Sequence, residues 1–346
     1  MRSSTHLPHA DAAPPERFAA LLAAIRRRFG PHSIRLGGEW AARLRGTTHR
    51  PLHTGSLGLD LLTGGLPRGK ISEYAGSGSG SSDALGLAAL AACQRAGGLG
   101  LLVDPDTSLD PDVLTALGVE PRSLILVCPH TAAEAWVILM ALVRSGCPDL
   151  ILVASLPGLF ALPRDERDQG GYTVRRLDER LSRLAAVARG RRTALLLLNA
   201  TAPDARPSGP TADSVGEPLL ARHTAIRVLF SSDRLCYTPD GAIAHLHTRA
   251  TVIKHHGRPI GPPIPLTIDA TGSRRSYECV ELGLLLGCVE RTELGLLHRG
   301  RALGRSLDRA AATLDADGAL AAAIAAEIAG RWAGAAVAPA GRRDSA

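Results

Sequence analysis

From residue 52 onward, short runs that are apolar throughout alternate with longer stretches of helical period. GKISEYAG (69–76), LGLLVDPD (99–106), SLILVCP (123–129), DLILVASL (149–156) and TALLLLNAT (193–201) read as strands. Between them, ALGLAALAACQRAGG (84–98), DPDVLTALG (110–118), TAAEAWVILMALVRSG (131–146) and GYTVRRLDERLSRLAAVARG (171–190) read as helices. Continuously apolar strands alternating with helices predict an α/β fold, a mainly parallel sheet covered on both faces. TAIRVLFS, AHLHTRATVIKHH and PIPLTIDA follow as later, more antiparallel strands, and from about Ser276 the pattern shifts to a small α/β module. Ahead of the alternation, ERFAALLAAIRRRF places Phe18, Leu21, Leu22, Ile25 and Phe29 on one helical face, and Gly30-Pro31 stops the helix. An isolated N-terminal helix with such a stripe must have it covered, which points to use between subunits. The expected organisation is a disordered tail (1–15), an N-terminal helix/strand oligomerisation segment (16–51), a core (52–272), a small C-terminal α/β domain (273–333) and a disordered basic tail (334–346).

Composition narrows the class. The 346 residues carry a net charge of +7, and of 40 basic residues only Lys70 and Lys254 are lysines. Guanidinium stays charged and forks onto phosphates, so a nucleic-acid partner is favoured. No apolar run reaches membrane-span length, and no secretory h-region opens the chain. Six scattered cysteines without CxxC spacing argue against zinc and disulfides and suit a reducing cytoplasm.

Several segments, in order and spacing, are similar to the bacterial RecA recombinase family. They are AAIRRRFGPHSIRLG near the start, LHTGSLGLDLLTGGLPRGKISEYAG (52–76), LLVDPDTSLDP (102–111), LVRSGCPDLILVAS (142–155), HTRATVIKHHGRPIGPP (247–263), and ECVELGLLLGCVERTE with LHRGRALG (278–304). The resemblance spans about 18–333. It implies a RecA-type P-loop NTPase-like core, an N-terminal helix that clasps a neighbouring subunit, and a small C-terminal module.

The chemistry departs from that pattern. A Walker A loop, G-x-x-x-x-G-K-[ST], cradles phosphates on its amides, neutralises them with Lys and holds Mg²⁺ through its hydroxyl. Gly76 takes the first Gly place, but Ser81 stands for the second Gly, Ser82 for the Lys and Asp83 for the Ser/Thr. At about 4 Å and an effective dielectric near 20, the lost attraction and the added repulsion are each worth roughly 4 kcal/mol before screening. The Walker B aspartate place is Ala154, and Ala200 follows Asn199 where the family has a glutamine. Asp106 occupies the catalytic-acid place, one methylene shorter than Glu, and Lys254 matches an interface lysine whose companion is His256. The resemblance therefore implies a degenerate nucleotide site at Gly76, Ser81, Ser82, Asp83 and Lys254. No cofactor is expected, with ATP and Mg²⁺ retained only if that site still functions.

For DNA, the resemblance points to Arg164, Arg167, Tyr172, Arg175 and Arg176 in a first loop and to Arg206 in a second, proline-rich one (202–217). Tyr172 is able to stack on a base, while Asp165, Glu166 and Asp168 offset the arginines. The leading expectation is a DNA repair and recombination protein, acting in the DNA-damage (SOS) response. It would bind single-stranded DNA, or a RecA-type filament as homo-oligomer or partner, with its ATPase lost. Mutagenesis accessory proteins that are RecA-like but lack the P-loop, and that recruit translesion polymerase machinery, share this pattern. An ATP-dependent recombinase with an atypical P-loop and a pure interaction module in translesion mutagenesis stay open as alternatives. His245, His247, His255 and His256 read as a surface histidine group rather than a metal site.

Overall fold

The computed structural model describes residues 16–29, 50–76, 80–107, 109–160, 170–200, 217–237 and 243–337. The expectations for the tail 1–15, for the strand SIRLGG, for the loop 202–216 and for the basic tail beyond 337 lie outside them, while residues 334–337, expected in that tail, end a helix. Two compact units are distinguished, residues 1–50 and residues 51–346. The first contributes helix α1 (Glu16–Phe29), on which Leu21 is exposed and Ile25 half-buried.

The second unit is built on one nine-stranded sheet. Its strands are β1 (Ile71–Gly76), β2 (Gly100–Val103), β3 (Ile125–Val127), β4 (Leu150–Val153), β5 (Ala194–Ala200), β6 (Ile226–Tyr237), β7 (Ile243–His255), β8 (Ile264–Asp269) and β9 (Gly272–Ser273). They lie in the order β3-β2-β4-β5-β1-β6-β7-β8-β9. The half from β3 to β6 is parallel and the rest antiparallel, as the strand patterns predict.

The apolar runs have no polar face because both faces are covered. Leu102, Leu150, Leu152, Leu196 and Leu198 point to one layer. It holds α2 (Leu57–Thr63), α3 (Ser81–Arg95), α4 (Pro111–Ala116) and the later helices α9 (Arg275–Leu285), α10 (Leu307–Ala316) and α11 (Gly318–Val337). Leu101, Val103, Ile151, Val153, Leu195 and Leu197 point to the other. It holds α5 (Ala132–Ser145), α6 (Leu156–Phe160), α7 (Gly170–Ala188) and α8 (Glu217–His223). Local signals start and stop these helices. Ser56 Oγ accepts the Leu59 N–H at the head of α2, and Gly64 closes it with φ +73°. Thr131 Oγ1 accepts the Glu134 N–H at the head of α5. A second, antiparallel sheet comprises β10 (Glu290–Thr292), β11 (Gly295–His298) and β12 (Arg301–Gly304). Among the described residues no helix is long and apolar enough to cross a membrane.

The histidines correct the expectation of a surface group. His245 is half-buried, its ring 5.4 Å from that of Tyr277 and its Nε2 3.6 Å from Asp308. His247 Nδ1 bonds Thr267 Oγ1 at 2.9 Å, and His255 Nε2 bonds the Thr63 carbonyl at 2.9 Å. Only His256 is exposed. His245 is covered by α9 and α10, His247 is bonded across to β8, and His255 lies against the end of α2.

The same contact holds a titrating carboxyl. Glu281 Oε1 accepts from Thr267 Oγ1 at 2.9 Å, while its Oε2 is buried without a protein partner. Burial, helped by the nearby Glu278 charge, pushes its pKa up to about 7 against the opposing Thr267 bond. A carboxyl with a raised folded-state value contributes its stability in full below the unfolded value and loses it as pH rises through about 7. Stability is therefore expected to fall between pH 5 and 8. Glu281→Gln should flatten that fall and leave the variant about 1–3 kcal/mol more stable at pH 8. Urea midpoints at both pH values test this, and a variant that keeps the wild-type pH dependence refutes it.

Candidate functional site

In an open parallel sheet, ligands sit outside the carboxyl ends of the strands. Here those ends bring together Gly76 (β1), Asp104 and Asp106 (after β2), Ala154 (after β4) and Asn199 (β5).

The turn after β1 leads into α3, which opens on Ser81 and Ser82, both buried, and Asp83. A Cβ on Gly76 would stand 3.2 Å from Ser82 Oγ, so the strand end and the helix head are in close contact. Asp83 Oδ1 lies 3.5 Å from Ser82 Oγ. The Asp83 side chain reaches solvent, yet the protein crowded around its carboxyl raises its pKa above the ordinary carboxylate value. Behind it is a slot of about 40 Å³ lined by Leu87, Leu102, Leu109, Leu152, Ala154 and Leu198. That slot is apolar apart from Asp83 and has room for a water molecule or two.

Asp104 is buried. Its Oδ2 accepts the Leu109 N–H at 3.1 Å, and its Oδ1 has no protein partner. Asp106 is exposed and lies over α6, where a Cβ on Gly158 would come within 2.4 Å of its Oδ1. A side chain at 158 would displace the exposed Asp106 carboxylate.

Lys254 turns away from these strand ends. Its ammonium donates to the carbonyls of Ala221 and Thr224, at the C-terminus of its own chain's α8. Burial, with the Arg227 charge, lowers its pKa from the usual lysine range.

A magnesium nucleotide does not fit the described residues. The helix head offers an anionic side chain where phosphates would lie, the slot behind it is apolar, and Lys254 is committed to a helix end. No reaction step is derived through that group.

Of the expected DNA residues, Arg164, Arg167 and Arg206 lie outside the described residues, and so does the side chain of Tyr172. Helix α7 starts at Gly170, so Tyr172, Arg175 and Arg176, expected in a loop, lie on a helix. On that helix Arg175 is exposed and Arg176 half-buried, and Arg180 sits 5.5 Å over the ring of Trp136 on α5.

Close to the site runs a buried polar chain that motif matching misses. Glu73 is fully buried on β1. Asn199 Nδ2 donates to its Oε1 at 2.8 Å, and Arg227 Nε, on β6, donates to its Oε2. The available signal was a single acid inside ISEYAG and a single arginine inside IRVLF. Each puts one charge among mostly apolar neighbours at the start of its strand, and a buried charge needs a partner of opposite sign.

Residues 16–201 match the model of the RecA N-terminal domain. The chain is 28% identical over 313 residues to Protein RecA of Pseudarthrobacter chlorophenolicus, covering 86% of each chain. It is 30% identical over 306 residues to Protein RecA 1 of Myxococcus xanthus, covering 85% of this chain and 87% of that one. The crystal structure of the RadB recombinase aligns with a TM-score of 0.50 at 20% identity, over 64% of this chain and 98% of that one. That last likeness is one of fold.

Proposed function

Because the chain belongs to the RecA family of recombination and repair proteins, we propose that it acts as a member without ATP turnover. In this reading it binds single-stranded DNA or a RecA-type filament through arginines and apolar faces. The observation that carries the proposal is Asp83, an acid at the head of α3 beside an apolar slot, with no described cation facing it.

Calorimetry with Mg-ATP, and ATP turnover with and without single-stranded DNA, test it. No binding at up to millimolar nucleotide and no turnover are expected. Ser82→Lys with Asp83→Thr should not restore hydrolysis, because Ala154 and Ala200 remain. Micromolar Mg-ATP binding by the wild-type chain would return it to the ATP-dependent recombinases.

On DNA, the charge of +7 supports binding without sequence preference that weakens steeply with salt. Each neutralised phosphate adds roughly 0.7 to the log–log salt slope on a single strand. Replacing Arg164, Arg167, Arg175 and Arg176 with Ala is therefore expected to flatten the slope by at most about 3. An anisotropy titration reads it. An unchanged slope moves the DNA surface elsewhere, and no binding at low salt makes the protein an interaction module of the translesion type.

A further inference from the structure

Strand β12 is an edge of the small sheet, and the chain reverses at Arg305-Ser306 so that α10 runs back along it. Two bonds set this pairing. Thr313 Oγ1 donates to the Leu303 carbonyl at 2.6 Å, and Arg301 Nη2 donates to Asp317 Oδ2 at 2.9 Å. Between strand and helix lies an open groove of about 700 Å³. Arg309, Ala312 and Ala316 line it from one face of the helix, and Leu303 and Arg305 line it from the strand side. A helix of 10 residues is about 15 Å long. An extended peptide of four or five residues has that length, at about 3.3 Å per residue.

The groove is charged at one end only. Arg305 and Arg309 are exposed at the head of α10, and no described carboxylate pairs with either. The helix N-terminus adds to their positive field, and Asp308 in the same turn opposes it while accepting from the Tyr277 hydroxyl at 2.8 Å. At the other end Asp317 already neutralises Arg301. The other two arginines near β12 are likewise accounted for, since Arg299 and Arg331 both bond Glu327. Between the ends lie Leu303, Ala312 and Ala316, and the Thr313 hydroxyl beside them is spent on the Leu303 carbonyl.

We propose that this groove takes a short acidic segment of a partner protein in extended form. Two carboxylates would fork onto Arg305 and Arg309, and a small apolar residue would follow against Leu303, Ala312 and Ala316. Carboxylate pairs suit guanidinium forks. A nucleic-acid strand fits less well, because its charge continues along its length and would carry phosphates past these side chains to Asp317.

The test is selection of phage-displayed random heptapeptides on the immobilised full chain, followed by anisotropy with the synthesised winners. Recovered peptides are expected to carry two acidic residues beside Ala, Val or Leu. Their affinity should drop at least tenfold in the Arg305→Ala/Arg309→Ala variant and only partly in Arg305→Lys/Arg309→Lys. Both residues are exposed, so the melting temperature should not move. The proposal is overturned if nothing is recovered, if the recovered peptides lack acids, or if the double alanine variant binds them as well as the wild type. It is also overturned if a 20-mer oligothymidylate, rather than any acidic peptide, is what loses affinity in that variant.

Discussion

Replacing Arg227 with Met is expected to cost about 3–5 kcal/mol of folding stability, the penalty for stranding one charge of a buried pair. Glu73 is fully buried, and the Arg227 side chain is 4% exposed. With the guanidinium gone, the carboxylate keeps a single amide from Asn199 and has no water to turn to. Urea unfolding at neutral pH measures the loss, and the melting temperature should fall by roughly 10 °C for a chain of this size. The companion variant Glu73→Leu/Arg227→Met removes both charges and should recover most of the loss, because apolar replacements of buried pairs are often neutral. A loss below about 1 kcal/mol in Arg227→Met would show that Glu73 is not left as a stranded buried charge.

Removing residues 1–30 is expected to abolish assembly, whether of the chain with itself or with a RecA-family partner, while residues 51–346 keep their fold. Leu21 on α1 is 52% exposed. At the edge of the large sheet, Ile125 and Leu126 on the three-residue strand β3 are 45% and 50% exposed, and Val137 on α5 is 66% exposed. An edge strand with apolar side chains and unpaired backbone groups is a pairing surface. Sedimentation velocity over a micromolar range should find oligomers for the full chain and monomers for the truncated one. Leu126→Lys with Val137→Glu should give the same monomer with an unchanged circular-dichroism spectrum. Persistent oligomers in the truncated chain would assign assembly to another surface.

The strand–helix alternation of the core was legible because its strands are apolar on both faces, a pattern that a half-exposed sheet does not make. The phosphate-loop substitutions were legible for a different reason, namely that a gapless register places Ser82 and Asp83 by counting alone. What counting could not supply was direction. Lys254 stands at the expected position in the chain, but only the packing of α8 against β7 shows its ammonium bound to Ala221 and Thr224. The histidines failed for the same reason, since alternation along β7 does not reveal that helices from residue 275 onward cover His245 or that the end of α2 meets His255. The link between Glu73, Asn199 and Arg227 joins three strands that sequence order keeps far apart.

That separation has a consequence for synthesis. Strand β1 emerges early, but Asn199 and Arg227 follow Glu73 by 126 and 154 residues. At about 5–20 residues per second, the acid waits roughly 8–30 s on the ribosome before its cation exists. For most of that interval a strand with an unmatched carboxylate has neither of its sheet neighbours, and β5 (Ala194–Ala200) is complete before β6 begins at Ile226. Shielding of the nascent chain over those seconds is therefore expected to matter, and a slower or chaperone-poor host should accumulate more aggregated product.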